Sequence, residues 1–390
     1  ATATATATAS ALSSSPAPSS LCPQHHQHHH HHHHHTSNSL GTEWSVRRAG
    51  TRVMGGRASK ESSNEKQDEK WDIEAFSPSK INLFLRIIGK RPDGFHDLGS
   101  LFQAISLGDS LKVSKLDQNS VDEFECDMPG VPTDDSNLVL RAAKLFREKT
   151  GITNGVRVSL SKKVPAQGGL GGGSANAATM LWAMNKLFDY PATQEELIEW
   201  SGDLGSDITF FLSSGTAFCT GRGEILEKVP QLPVQNVYII KPDVGLSTPL
   251  VFKNLNYSEL SPEEPREILG RFYANGDTPI SDQDDDNQAK PQDGTGIKYI
   301  NDLEPPAFRL LPVLKEIKEY LNEFDFDAVL MSGSGTSIFA IGEPKSAPEA
   351  VFLDEMEDMK EKWNLQVFKA RFLNRGENED QWYELPAASP

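Results

Sequence analysis

Residues 167–178 read QGGLGGGSANAA, with five glycines in the six positions from Gly168 to Gly173. Glycine tolerates positive φ, so a run of this kind can turn several backbone N–H groups toward one anion. A helix beginning beside it adds unpaired N–H groups and a partial positive charge. The run joins a strand-like GVRVSLSKKVP to an apolar SANAATMLWAMNKLF, as a phosphate-binding loop does, which marks a backbone that holds a shape rather than a linker. Two familiar alternatives fail on the residues. No Gly-Lys-Ser/Thr closes the loop, and no acidic residue follows at the distance of a dinucleotide fingerprint. Elsewhere, Lys80 and Asn82 stand two apart in an extended run and so share one face, with Ile81, Leu83 and Leu85 on the other. Such a pair needs partners, unless Lys80 faces solvent on an edge strand. Asp207, in GSDITFFL, reads by itself as a cap for the apolar segment after it. Phe95 and His96 follow the turn RPDG, and His96 is the one histidine outside a tract at His25–His35.

The elements that must position these residues begin at Trp71. SKINLFLRIIGK and the apolar run after RPDG read as extended segments around a turn. NLVLRAAKLFREKT has helical spacing, with Ser136 or Asn137 as the cap and Gly151 as the stop. TQEELIEWSGDL reads as a surface helix capped by Thr193. A second unit opens near residue 235 with the strand NVYIIKP. It continues with a helix over PAFRLLPVLKEIKEYL, the strand DAVLMS, the turn GSGT, the strand SIFAIG, a helix over APEAVFLDEMEDMKEKW and the strand LQVFKARF. The mixture predicts an α+β protein of two domains, 71–235 and 236–375. Residues 257–300, containing SDQDDDNQAKPQDGTG, read as a solvated polar insertion, and 376–390 as a tail.

Composition bounds the partners. The chain has 390 residues, and no run approaches the roughly 20 apolar residues of a membrane span. Residues 1–65 form a leader rich in Ser, Thr and Ala, with Glu43 as the one acid before Glu61 and arginines from Arg47 onward. This composition predicts an organelle transit peptide, for a plastid rather than a mitochondrion. The histidine tract lies inside it and carries no metal-site expectation. With five basic residues and one acid up to Lys60, the leader is positive, and the rest of the chain holds −21 of a total −17. So acidic a body is a poor partner for nucleic acid. Cys22, Cys126 and Cys219 are too few and too scattered for a zinc site or a disulfide framework.

Three stretches occur in a telling order: SPSKINLFL, VPAQGGLGGGSANAA and LMSGSGTSIFAIG. Together they resemble the three motifs of the GHMP kinases. The resemblance implies a two-domain fold, with a ribosomal-protein-S5-like N-terminal domain and a ferredoxin-like C-terminal domain. SKINLFLRIIGKRPDGFHDL, DDSNLVLRAA, GSDITFFL, LSTPLVFK and NDLEPPAF are similar to the branch that acts on a cytidine diphosphate-linked methylerythritol in plastid isoprenoid synthesis, over about Phe76 to Arg371. What this implies is transfer of the γ-phosphoryl of ATP to the 2-hydroxyl of the methylerythritol unit. Asp207 would accept the hydroxyl proton and Lys80 would keep it ionised. Asn82 would hydrogen-bond substrate, Phe95 and Phe252 would flank the cytosine, His96 would bond its edge, and Thr248 would touch substrate. Backbone groups of Gly168, Gly169, Leu170, Gly171, Gly172, Gly173, Ser174 and Ala175 would hold the phosphates of ATP, with Asn137 and Lys162 near the adenosine. Magnesium is expected with ATP, with no dedicated carboxylate cage and no named ligand.

Singly, several of these residues have plainer readings: Phe95 and Phe252 as core, His96 as a turn residue, Lys162 as a solvated strand residue, Asn137 as a cap and GSGT as a hairpin turn. Gln167 and Ala175 depart from the family pattern, where glycine and a second serine are usual. A positive φ at Gln167 would strain it by on the order of 1 kcal/mol. Two rivals remain: a GHMP kinase acting on a smaller alcohol such as mevalonate or homoserine, and a non-catalytic nucleotide-binding protein of the same fold. The first should lack the RPDGFH and STPLVF pair, and the second has no need of a Lys80–Asp207 couple.

Overall fold

The apolar runs on either side of RPDG become two long antiparallel strands, β1 (Ile73–Lys90) and β2 (His96–Gln118). This computed structural model describes residues 70–213, 215–274, 297–375 and 383–384. The leader with its histidine tract, residues 275–296 of the polar stretch and most of the tail fall outside them. A register shift between Asn82 and Phe84 kinks β1. Leu83 and Phe84 therefore both reach the core, while Lys80 and Asn82 keep one face.

Next come β3 (Glu123–Cys126), α1 (Leu138–Thr150) and β4 (Asn154–Ser161). Asn137 caps α1 by accepting the Val139 N–H, and Gly151, at φ 76°, ends it. Past the glycine loop lie α2 (Gly172–Leu187), α3 (Gln194–Ser201), α4 (Ile208–Phe211), β5 (Thr216–Thr220) and β6 (Ile225–Lys228). Thr193 and Glu196 form a capping box on α3. Every residue of α2 from Ala175 to Asn185 is buried, and its alanines let neighbouring elements approach closely. The sheet runs β3-β4-β2-β5-β6, with β1 on β2. Four elements, β3, α4, β5 and β6, lie where the sequence pattern assigns nothing, since four or five residues hold too little of either period.

The second half contains β7 (Asn236–Pro242), α5 (Thr248–Lys253), α6 (Pro265–Tyr273), α7 (Glu304–Leu310), α8 (Val313–Asn322), β8 (Ala328–Met331), β9 (Ile338–Ile341), α9 (Glu349–Trp363) and β10 (Leu365–Arg371). Its sheet order is β10-β7-β9-β8, antiparallel throughout. Numbered along this half, that is 4-1-3-2, the ferredoxin-like order. Two expectations need correction. The helix over PAFRLLPVLKEIKEYL is two helices, because Pro312 has no N–H to continue α7. The first part of the polar stretch is not a solvated insertion: α6 sends Ile268, Leu269 and Tyr273 into a core shared with Ile81 and Leu101 of the first sheet and Val237 and Phe339 of the second. That shared core joins the described residues from both halves into one compact unit.

Candidate active site

The glycine loop is shaped by what its carbonyls do. Gln167 and Gly168 accept N–H bonds from Thr336 and Ser337, at 3.2 Å each. Gly169 accepts the Ser332 hydroxyl at 3.0 Å, and Leu170 accepts the Lys80 N–H at 2.9 Å. Four consecutive carbonyls are thus tied to β1 and to the β8–β9 connection. The residues from Gly168 to Ser174 line one cavity of about 440 Å³, together with Asn137 and Lys162. Gly171, at φ 69°, caps α2 without a side-chain bond, and no acid sits in the first turn. The positive end of a sixteen-residue helix is therefore offered to the cavity uncompensated. A Cβ on Gly169 would lie 2.0 Å from the Ser332 carbonyl oxygen, so only glycine fits there. GSGT is the hairpin connection expected of it, and it is also the back wall of the loop.

Three expectations for this cradle meet particulars. Gln167 does adopt positive φ, at 52°. Ala175, fully buried, gives its N–H to the Gly171 carbonyl at 2.9 Å; that group belongs to the helix ladder and is not available to a phosphate, which corrects its assignment. Lys162 is not a solvated strand residue: its Nζ lies 2.5 Å from Asp109 Oδ2 and 2.9 Å from Asn176 Oδ1. Asp109, 1% exposed, also accepts the N–H groups of Lys163 and Val164. This buried knot fixes the approach of β4 to the loop.

Lys80 stands where the cradle ends. Its Cγ lies 3.2 Å from where a Cβ on Gly171 would be, and its Nζ is 3.6 Å from Asp207 Oδ2. The side chain is 4% exposed, so its ammonium needs compensation. It donates to Asn82 Oδ1 at 2.7 Å and sits 4.6 Å from the centre of the Phe102 ring. At 3.6 Å the attraction to Asp207 is roughly 4 kcal/mol at an effective dielectric near 20. Asp207 occupies the capping position of α4 but makes no cap bond; its carboxylate is turned to the lysine instead, and the plain cap reading fails. Cys219 lies fully buried behind the pair, and burial, reinforced by Asp207, pushes its thiol well above the usual range. It stays a neutral packing group. Asn82 is itself buried, with its amide nitrogen on Ser100 Oγ at 2.9 Å, so both its polar atoms hold protein partners and what it orients is Lys80.

Beyond Asp207 opens a cleft of about 650 Å³ that also takes in Phe95, His96, Thr248 and Phe252. Phe95 is 55% exposed beneath the Arg222 guanidinium, 5.1 Å from its ring centre. His96 does not stand at an edge between two aromatic faces. It stacks on Phe252 at 4.9 Å, and its Nε2 is 2.7 Å from the Tyr257 hydroxyl, which draws the ring over. Burial, and then the charge of Lys90, lowers the His96 pKa from its ordinary 6.5. Thr248 Oγ1 meets Ser334 Oγ at 2.8 Å, tying the cleft to the connection behind the cradle.

No local pattern in the sequence singles out Asp109, Arg222, Tyr257 or Asn301 as site residues. Arg222 carries a faint signal, a charge between two glycines in TGRGE. Tyr257 opens the stretch that reads as a polar insertion. Asn301 donates to the carbonyls of Met331 and Gly333 and so shapes the back wall from the start of NDLEPP. Among the described residues, no three His, Cys, Asp or Glu side chains gather as a metal site would require.

Comparison with known proteins bears on both cavities. The family model described as "GHMP kinases N terminal domain" matches residues 137–218, and "GHMP kinases C terminal" matches 292–354. The chain is 47% identical over 322 residues to the Oryza sativa subsp. japonica protein named "4-diphosphocytidyl-2-C-methyl-D-erythritol kinase, chloroplastic", covering 81% of this chain and 74% of that one. The Arabidopsis thaliana protein of the same name is 43% identical, covering 81% and 78%. A protein of Protochlamydia amoebophila named "4-diphosphocytidyl-2-C-methyl-D-erythritol kinase" is 44% identical, covering 80% and 93%. A crystal structure of 4-(cytidine 5'-diphospho)-2C-methyl-D-erythritol kinase superposes with a TM-score of 0.60 at 30% identity, covering 78% of this chain and all of the other. A mevalonate kinase from Methanococcus jannaschii, at 14% identity and a TM-score of 0.56, covers 79% of this chain and all of the other, and shares the fold alone.

Proposed function

Because the chain belongs to the 4-diphosphocytidyl-2-C-methyl-D-erythritol kinase family of the GHMP kinases, we propose that Lys80 and Asp207 carry its phosphoryl transfer, at the junction of an ATP cradle and a cytidine cleft. The enzyme takes ATP and a small cytidine diphosphate-linked polyol, in the plastid that its plant relatives' names give and its leader composition suggests. The observation that carries the residue assignment is that Lys80 is bonded through its N–H to Leu170 of the cradle, at 2.9 Å, while its ammonium lies 3.6 Å from Asp207 of the cleft.

With ATP in the cradle, the N–H groups from Gly168 to Ser174 and the Ser174 hydroxyl hold its phosphates, while Asn137 and Lys162 flank the adenosine side. The 2-hydroxyl of the methylerythritol unit lies against Asp207. Its oxygen bonds to the γ-phosphorus as the bond to the β,γ-bridging oxygen breaks, its proton passes to Asp207, and ADP leaves. Lys80 pairs with the Asp207 carboxylate beforehand, at 3.6 Å, and offsets the spreading charge during transfer. Asn82 fixes the Lys80 ammonium. Phe252, Phe95 and His96 hold the cytosine, Thr248 borders the substrate, and Arg222 faces its diphosphate. Magnesium brought in with ATP would find the Ser174 hydroxyl as a hard oxygen donor lining the cavity, and would neutralise phosphate charge there.

The test is ADP release with the cytidylylated substrate, mevalonate and homoserine side by side, for the parent and Asp207→Asn. The expected result is activity on the cytidylylated substrate only, falling about 10²–10⁴-fold in the variant. Activity on mevalonate alone, or an Asp207→Asn rate within about threefold of the parent, would overturn it.

A further inference from the structure

The end of the chain returns to the first sheet and closes on the helix that carries Asp207. After β10, Leu373 donates its N–H to the Ala104 carbonyl at 2.8 Å, and Asn374 donates to the Leu232 carbonyl at 2.6 Å. Arg375 then gives Nη1 to the carbonyls of Leu212 and Ser213, both at 2.9 Å. Tyr383 is fully buried, its ring stacked on Trp182 at 4.3 Å and 20°. Its hydroxyl donates to the Phe211 carbonyl at 3.1 Å, and the Arg375 guanidinium lies 5.2 Å from its ring centre. Three successive carbonyls at the C-terminal end of α4 are thus held by the last part of the chain, with Gln194 from α3 sharing that of Leu212.

Helix α4 has four residues, about one turn, and cannot hold its own direction. Asp207 is the residue just before it and makes no cap bond that would fix it locally. What sets the carboxylate's place over Lys80 is the seating of α4, and the cation of Arg375 at its carbonyl end suits the helix dipole. We propose that Tyr383 and Arg375 are positioning residues for Asp207, acting through α4. The inference rests on the reading of Asp207 as the proton acceptor.

The experiment is a double-mutant cycle on the full chain, read as kcat and as KM for ATP by ADP release. Tyr383→Ala should lower kcat about tenfold, with KM for ATP unchanged, because a small displacement of a catalytic group is costly. Tyr383→Phe keeps the stack on Trp182 and loses the hydroxyl's bond to Phe211; it should lower kcat about two- to threefold, and it carries the test if the alanine variant does not fold. In the Asp207→Asn background both effects should disappear, since no carboxylate remains to misplace. Equal losses in both backgrounds, a rise in KM for ATP in place of a fall in kcat, or no loss in either variant would overturn the inference. Asp207→Asn measured alone keeps the two readings apart: a parental rate there defeats the assignment of Asp207, whereas a large loss there with Tyr383 silent defeats only the positioning role.

Discussion

The cradle and the cleft are built by opposite means. The cradle is backbone: its shape comes from positive φ at Gly169 and Gly171, and its carbonyls are tied to β1 and the β8–β9 connection. The cleft is side chain: Phe95 comes from the β1–β2 turn and His96 from the first position of β2, Arg222 from the β5–β6 turn, and Phe252 and Tyr257 from the segment after β7. A backbone site excludes whatever adds an atom in the wrong place. A side-chain site, half open to solvent, loses affinity one contact at a time. Lys80 and Asp207 stand between them, one nearly buried and the other a third exposed.

The contrast is broken most severely at Gly169. Gly169→Ala puts a Cβ 2.0 Å from a backbone oxygen, and kcat/KM for ATP should fall by about 100-fold or more. Gly173→Ala meets nothing nearer than 3.8 Å. It should leave kcat/KM within about twofold and raise the melting temperature slightly, since alanine favours a helix over glycine by roughly 1 kcal/mol. Equal losses from the two substitutions would mean that the cradle is not a backbone mould. On the cleft side, Phe252→Ala should raise KM for the cytidylylated substrate about tenfold, the worth of one aromatic stack, with kcat nearly unchanged. A fall in kcat with KM constant would place Phe252 in the reaction rather than in binding.

The same difference decides how much the sequence discloses. The cradle is contiguous, so QGGLGGGS displays its glycines together, and the strand and helix on either side follow from period and caps. Lys80 and Asn82 are visible as a polar pair on an apolar strand, yet their partners, Asp207 and Ser100, are supplied by topology. Arg222, Tyr257 and Asp109 enter through turns and pairings that no local pattern announces. Ala175 shows the reverse error: it lies within the motif, but one residue further into α2, where its N–H already has an acceptor. Tyr383 hid in a short polar end because burial of a single aromatic leaves no periodic trace.

A smaller effect belongs to His96. Its folded pKa is lowered by burial and then by Lys90, so the ring is more than half neutral at the ordinary value of 6.5 and gains most of its proton below it. The neutral ring can accept the Tyr257 hydroxyl proton at Nε2 and so hold its stacked place on Phe252 at the cleft, whereas the charged form only donates and is repelled by Lys90. KM for the cytidylylated substrate should therefore be flat at neutral pH and rise a few-fold as the pH falls through the lowered pKa, a change of about 1 kcal/mol. His96→Gln should remove that rise. A rise that begins above 6.5 would contradict the direction of the shift.

The smallest effect is expected at Gln167, at the entry of the cradle. Its left-handed backbone costs about 1 kcal/mol that glycine would not, but glycine also frees the unfolded chain by a comparable amount. Its side chain lies against Gly245, whose added Cβ would fall 1.8 Å from the Gln167 amide oxygen, and Gln167→Gly would lose that packing. These contributions nearly cancel, so stability should move by less than about 1 kcal/mol in either direction. KM for ATP should change less than about twofold, because the carbonyls of Gln167 and Gly168 are held by backbone N–H groups of Thr336 and Ser337 whatever side chain precedes them. Thermal melting and ADP release check both. A tenfold change in KM for ATP would mean that the glutamine side chain, not the β8–β9 connection, sets the loop, and the separation of a backbone cradle from a side-chain cleft would fail at its seam.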